Sequence, residues 1–274
     1  MRLVIADHIP RIRRKSLAGQ FVLVLFGLQM MFLTSFVALD LPTGTAQNLV
    51  NSGKQTLATA CKLLPANTQE KIKISHPEIF EKTKPIRTNL YTPQAPMAIF
   101  LGYVLGRGIG PLCISLFVLL GLVGPLVGIN PFAAGGGWDY YMQPGFGYLL
   151  GMIAGSAVVG WITEQRRTSL GQLLALVCGL LSIHLVGLSY LLGSGLVFFV
   201  VQGLNNGPSW LPWVFEQARN LSWYPLPYDA ALGLIAIGMG FPFRYLVDLL
   251  TAPDLALKSK SERMVEQQME ELMG

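Results

Sequence analysis

Charge is what this sequence has least of. Asp, Glu, Lys and Arg make up 13% of its 274 residues, about half the ~25% of an ordinary soluble domain, which excludes that class. Cysteine is scarce too, with three residues at positions 61, 113 and 178 and no CxxC pair, so neither a disulfide framework nor a zinc site is indicated. Catalytic signatures are missing as well. No GxxxxGK[ST] loop follows any glycine run, which disfavours nucleotide binding. Ser194 in LLGSGL follows His184 without a GxSxG pattern, no HExxH exists, and no paired carboxylates sit inside the apolar runs. An enzyme with an activated nucleophile or metal is therefore not expected, and no cofactor is implied. The net charge of +5 comes from residues at the two ends, in one turn and in the Cys61–Arg87 segment. That scatter fits membrane anchoring and not a nucleic-acid partner.

What is present is apolar sequence, at 52% of residues and a mean hydropathy of +0.49. Several runs approach the ~20 residues that cross a hydrocarbon core about 30 Å thick. The expectation is an all-α membrane protein of six transmembrane helices in contact with lipid. The spans read Phe21–Leu39, Gln94–Leu105, Pro111–Val127, Tyr148–Ile162, Leu170–Leu192 and Ala230–Leu250. Residues 1–20 form a basic segment ahead of the six-helix domain at 21–252, and 253–274 form a charged tail. The first run exceeds the 7–15 apolar residues of a signal peptide, so a retained span is preferred over cleavage near Gly44-Thr45-Ala46.

Residues 40–93 are a polar insertion between the first two spans. Gln47 to Leu64 reads there as a short amphipathic helix, and Lys82–Lys84 and Tyr91-Thr92-Pro93 as extended linker. His76 reads as a solvated histidine. Gln94–Leu105 is too short to cross a membrane straight at 1.5 Å per residue. Gly106-Arg107-Gly108 is expected to turn the chain back on itself, and interrupted apolar segments of this kind point to transporter binding sites. Basic residues at the N-terminus (Arg11, Arg13, Arg14, Lys15), at Arg166-Arg167 and in the tail (Lys258, Lys260, Arg263) put both termini on the cytoplasmic side. Seven Lys or Arg in the 40–93 insertion run against that bias, which long loops obey poorly. With six spans, all three long connections (40–93, 128–146 and 203–228) fall on the outer face.

The loop from Gly128 to Phe146 carries Phe132, Gly135-Gly136-Gly137, Trp138, Tyr140 and Tyr141. Lipid tolerates irregular backbone only where protein covers it or where it lines a cavity, so the loop reads as one wall of a small-molecule pocket. Bare glycines let backbone amides approach a ligand; the alternative is a flexible loop. Gln94 offers an amide to a ligand or simply starts a helix beside Pro93. Asp229, after Pro227-Tyr228, is an N-cap, an acceptor for ligand N–H groups, or both. Tyr148 is an interface anchor or a pocket contact. His184 is an intramembrane ionisable group or a bridge between helices. Gly147, Gly151 and Gly155 share one helix face and allow close helix approach.

Taken together, YTPQ at 91–94, VLGRGIG at 104–110, GLVGPLVGINPFAAGGG at 121–137, PGFGY at 144–148 and His184-Leu-Val-Gly187-Leu-Ser-Tyr190-Leu resemble the BioY family. These are the substrate-capture (S) components of energy-coupling-factor vitamin transporters, specific for biotin. The likeness spans Gln94–Leu192, with a weaker match at Leu226–Asp229; where the family's motif ends in lysine, this chain has Leu232. The resemblance implies a six-helix S-component bundle in the plasma (inner) membrane that captures biotin at the outer face. A transmembrane coupling protein and paired ATPases would supply the energy. Gln94, Phe132, Gly135, Gly136, Gly137, Tyr148 and Asp229 are the expected substrate-binding residues. The alternatives are capture of another small vitamin or precursor, and a non-transporting membrane scaffold.

Overall fold

The computed structural model describes residues 17–42, 46–80, 88–132, 135–165, 168–202 and 210–250, together with 268, 269 and 271. The basic N-terminal cluster, Lys82–Lys84, Arg166-Arg167 and nearly all of the charged tail lie outside the described residues. Eight helices are described: α1 (Leu17–Ser35), α2 (Ala46–Cys61), α3 (Ala66–Ser75), α4 (Gln94–Val123), α5 (Phe146–Gln165), α6 (Ser169–Gln202), α7 (Trp210–Ala218) and α8 (Leu226–Leu250). Two short strands, β1 (Leu39–Pro42) and β2 (Thr88–Tyr91), pair antiparallel, with Leu39 opposite Tyr91.

Among the described residues, five helical stretches are long and apolar enough to cross a bilayer: Leu17–Ser35, Gln94–Val127, Phe146–Gln165, Ser169–Val201 and Leu211–Val247. The second is not straight. Gly106 sits at φ +80° inside α4, a left-handed conformation that glycine adopts without a Cβ clash. Beyond it the chain doubles back, so a Cβ built at Gly110 would lie 3.1 Å from Gly102 Cα, where a continuous helix would separate the two by about 12 Å. The turn expected at Gly106–Gly108 is therefore real, and α4 is two apolar arms. The turn is fastened to the end of α5, where Arg107 N–H donates to Glu164 Oε1 at 3.0 Å and Arg107 Nε lies 3.2 Å from Glu164 Oε2.

α5 is the central helix. It has 67% of its apolar stretch buried, against 17% for α1 at the edge. Small residues make that possible. A Cβ at Gly102 of the first α4 arm would fall 2.9 Å from Ser156 Cα of α5, and one at Gly151 would fall 3.0 Å from Ile183 Cα of α6. The Gly147/Gly151/Gly155 face thus packs inside the protein against α6, with Gly155 facing the Gly179 carbonyl. α1 rests on the second arm of α4, with Gly27 beside Cys113 and Leu105. Large apolar side chains elsewhere on α1, α6 and α8 point outward, Leu17, Phe21, Val201 and Phe241 among them, as a lipid-facing surface requires.

Several boundaries differ from the expectation. The first span ends at Ser35 and not at Leu39, because Leu39–Pro42 is drawn into pairing with Thr88–Tyr91. For the same reason Tyr91 is strand and not linker, since a remote partner supplies its backbone hydrogen bonds. α6 runs ten residues beyond Leu192, to Gln202. The described part of the second aromatic loop is not loop but α7 and a π-helical turn, Arg219–Trp223, closed by Tyr224 N–H on the Arg219 carbonyl at 3.0 Å. α7 is anchored on α6 by Trp213 stacked on Phe198 at 6.2 Å and 14°. The amphipathic helix expected over 47–64 is present as α2.

Close approach at Gly102 sets a stability test. Gly102→Ala forces a methyl onto the Ser156 backbone and should cost about 1–3 kcal/mol. Gly108→Ala, with nothing within 4 Å of its Cβ, should be near neutral. Thermal unfolding of detergent-purified variants separates them; equal midpoints would mean that the α4–α5 contact is looser than described.

Candidate functional site

A partly open cavity of about 210 Å³ lies where the end of β2, the start of α4, the start of α5, the middle of α6, the π-helical turn and the start of α8 meet. It brings together Gln94, Tyr148 and Asp229, three residues that are far apart in the chain. Gln94 is the first residue of α4, after Pro93, so it is both a helix-start residue and a wall residue. Its neighbours on the apolar side include Leu149, Met152, Ile183 and Leu221.

Asp229 is buried, at 3% exposure. α8 begins three residues earlier, at Leu226, and the Asp229 N–H already donates to the Pro225 carbonyl. Asp229 is therefore a first-turn residue and not the N-cap, favourably placed at the positive end of the helix dipole. Its carboxylate accepts a hydrogen bond from Tyr91 Oη at 2.6 Å on Oδ1. His184 Nε2 stands 3.6 Å from Oδ2, beyond hydrogen-bond length, and has no hydrogen-bond partner. A buried carboxylate without partners is costly, and Tyr91 supplies a donor to one of its two oxygens. Burial, reinforced by the Asp229 charge beside it, pushes the Tyr91 phenol well above the usual tyrosine range, so it remains a donor.

A second polar chain runs from the other side. Tyr148 Oη is 2.6 Å from Ser222 Oγ, which is 3.1 Å from His184 Nδ1. The Tyr148 ring also meets the His184 ring edge-on at 6.0 Å. Two sequence motifs interlock here. The ring of Tyr148 fills the space that a side chain at Gly187 would need, and Tyr190 fills the space at Gly147. The Tyr190 hydroxyl donates to the Tyr141 carbonyl. The PGFGY and HLVGLSY segments thus pack glycine to aromatic in both directions.

Phe132 and Gly135–Gly137 are not among the residues lining the cavity. Phe132 is buried against Phe117 at 5.2 Å and Tyr140 at 4.7 Å, on the bare surface of Gly121. Gly137, at φ +114°, donates its N–H to the Gly121 carbonyl at 2.9 Å. These residues back the wall: they hold Tyr140, which does line the cavity and whose phenol burial pushes up. Tyr91, Thr92, Asn220 and Leu221 are among the wall residues to which sequence reasoning gave no site role, and Ser222 is its unforeseen tie. Tyr91 lies in the YTPQ motif, but its pairing with Asp229 could not be read there, because the two become partners only across 138 residues.

The strand pair closes the site from one side. Besides the Tyr91–Asp229 bond, Tyr228 Oη donates to the Pro42 carbonyl at 2.6 Å, and the Tyr91 and Tyr228 rings lie 6.0 Å apart. β1 and β2 are thus tied to the entry of α8. Among the described residues no group of His, Cys, Asp and Glu is arranged to hold a metal ion.

The model of the BioY family matches residues 84–239. A biotin transporter BioY from Thermotoga maritima is 30% identical over 149 residues, covering 54% of this chain and 78% of the relative. A probable biotin transporter BioY from Lysinibacillus sphaericus is 32% identical over 103 residues, 37% of this chain and 50% of the relative. Among solved structures, the S-component for biotin from an ECF-type ABC transporter superposes with a TM-score of 0.49 at 14% identity, covering 86% of this chain and 96% of the other.

Tyr91→Phe removes the donor and leaves the buried Asp229 oxygen unpaired, at a cost of about 1–3 kcal/mol. The wild-type phenol has its folded-state pKa raised. Its stabilisation is therefore complete below the unfolded value near ~10 and shrinks as pH rises beyond it. Unfolding midpoints of both proteins from pH 6 to 11 should differ by a constant amount up to about pH 9 and converge above about pH 10. A difference that grows with alkalinity would contradict the bond.

Proposed function

The chain belongs to the BioY family, and on that premise we propose that it is a biotin-capture subunit that binds the vitamin at the outer face of the membrane for uptake. The observation that carries this reading is the convergence of Gln94, Tyr148 and Asp229 in one cavity of mixed polar and apolar lining. Biotin presents a neutral cyclic urea, with two N–H donors and one carbonyl acceptor. Asp229 is suited to accept from an N–H, and the Gln94 amide is suited to donate to the carbonyl or to accept from the second N–H. Leu149, Met152 and Ile183 provide the apolar enclosure in which such hydrogen bonds count for most, because an unpaired group there is costly.

The same carboxylate explains selection. A site built around a buried acceptor rejects analogues without an N–H, since the acceptor would be left unpaired. Tyr91 occupies Oδ1, so the guest takes the face of Asp229 toward His184 or displaces the phenol. Phe132 and Gly135–Gly137 act one layer back, by holding Tyr140 in place.

Capture from outside is supported by the strands, the described part of the Gly128–Phe146 loop and the Tyr228 end of α8 lying together at the cavity end of the bundle. The short Arg107–Glu164 turn lies at the opposite end. Long segments outside and short turns inside support an outward-facing cavity with both termini cytoplasmic. The chain carries no nucleotide-binding motif, so energy for release inward is assigned to a transmembrane coupling protein with paired ATPases.

Two measurements test this. Labelled biotin should bind detergent-purified wild type with submicromolar affinity, and Asp229→Ala should weaken it by about tenfold or more. Absence of biotin binding with another vitamin bound instead would overturn the substrate, a possibility that Leu232 makes worth including in the panel. For orientation, Cys61 at the end of α2 should react with a membrane-impermeant maleimide in intact cells. Labelling only after the cells are opened would invert the topology.

A further inference from the structure

The cavity holds about 210 Å³, short of the ~300–1,000 Å³ usual for small-molecule sites. The missing space lies next door. A groove of about 500 Å³ runs between α6, α7, the π-helical turn and the start of α8, lined by His184, Leu188, Phe215, Arg219, Ser222 and Trp223 among others. His184 borders both spaces. The partition between them is the π-helical turn. Its Asn220 and Leu221 face the cavity, while its Arg219, Ser222 and Trp223 face the groove. What closes the partition is the Tyr148–Ser222–His184 chain of contacts at 2.6 and 3.1 Å.

The groove is apolar apart from a few groups, and among the described residues Arg219 is the one permanently charged side chain in its lining. Among the described residues Arg219 has no ion-pair partner; its guanidinium instead sits 5.8 Å from the Tyr224 ring centroid. A cation at the rim of an apolar trough beside a polar cavity is complementary to one kind of guest. That guest has a polar ring, an apolar chain and a terminal anion.

We propose that the binding site extends across the π-helical turn. The urea ring lies in the cavity, the aliphatic chain passes His184 and Ser222 into the groove, and Arg219 receives the carboxylate. This rests on the biotin reading above and names the residue that would select the free acid over its neutral derivatives. Helical turns of the π type are frequent at functional sites, and here the turn puts neighbouring residues on both sides of one wall. The Ser222 hydroxyl exchanges its bond to Tyr148 or His184 to let the chain through.

The test compares biotin with biotinamide, its uncharged isostere, on detergent-purified wild type, Arg219→Gln, Arg219→Lys and Leu188→Trp. Loss of one charge-assisted contact should weaken biotin about tenfold in Arg219→Gln and leave biotinamide within about twofold, which also reports that the variant is folded. Arg219→Lys should retain most of the preference for the acid. Leu188→Trp, which fills the groove, should weaken both ligands. An unchanged biotin-to-biotinamide ratio in Arg219→Gln overturns the role of Arg219. Full affinity for both ligands in Leu188→Trp overturns the groove as the place of the chain. If wild type binds no biotin at all, it is the substrate assignment that fails; if wild type binds and the ratios stay flat, only the extension across the turn fails.

Discussion

A buried carboxylate in a membrane protein must be met by donors, and Asp229 is that constraint here. It lies in the first turn of α8, and Tyr91 reaches it from the end of β2 at 2.6 Å. That one bond explains why a polar segment of the chain is folded back over an apolar bundle. β2 needs β1 as a partner, β1 follows α1, and Tyr228 returns the tie by donating to Pro42. The polar insertion is thereby linked to the site, through two phenols that point in opposite directions along the chain.

Beneath this the bundle is held by shape. Glycines let helices come close enough for backbone to touch backbone, at Gly102 on Ser156 and Gly151 on Ile183. Where the glycines face aromatics, they seat rings: Tyr148 over Gly187, Tyr190 over Gly147, Phe132 over Gly121. A continuous aromatic series, Phe117, Phe132, Tyr140, Phe146 and Tyr190, links the second arm of α4 to α6 with centroids 4.7–6.4 Å apart. Without a hydrophobic drive between helices in lipid, such close packing is the main source of cohesion. It also fixes the wall residue Tyr140, so the glycine-rich loop serves the site by position.

The cavity and the groove are two halves of a volume divided by a turn of irregular helix. The divider has hydroxyl and imidazole groups that can exchange partners, and the groove side has a cation. The polar contacts of the site are therefore spread over five segments, none of which holds more than a few of them. Such an arrangement positions a guest well once the bundle is packed and scarcely exists before.

Much of this was legible from residue order alone. Scarcity of charge and long apolar runs required a membrane protein, and Gly106-Arg107-Gly108 announced the reversal that splits α4, because only glycine takes φ +80° cheaply. Gln94, Tyr148 and Asp229 stood out as polar or aromatic groups at span entries, and they do share one cavity. Tertiary structure alone decided the rest. It paired Leu39–Pro42 with Thr88–Tyr91, turned an apparent linker tyrosine into the partner of Asp229, made a helix of what read as an aromatic loop, and set Phe132 and the three glycines behind the wall. The physical reason is the range of the interactions. Helix formation and chain reversal depend on neighbours within a few residues, whereas a hydrogen bond across 138 residues leaves no periodicity in the sequence to read.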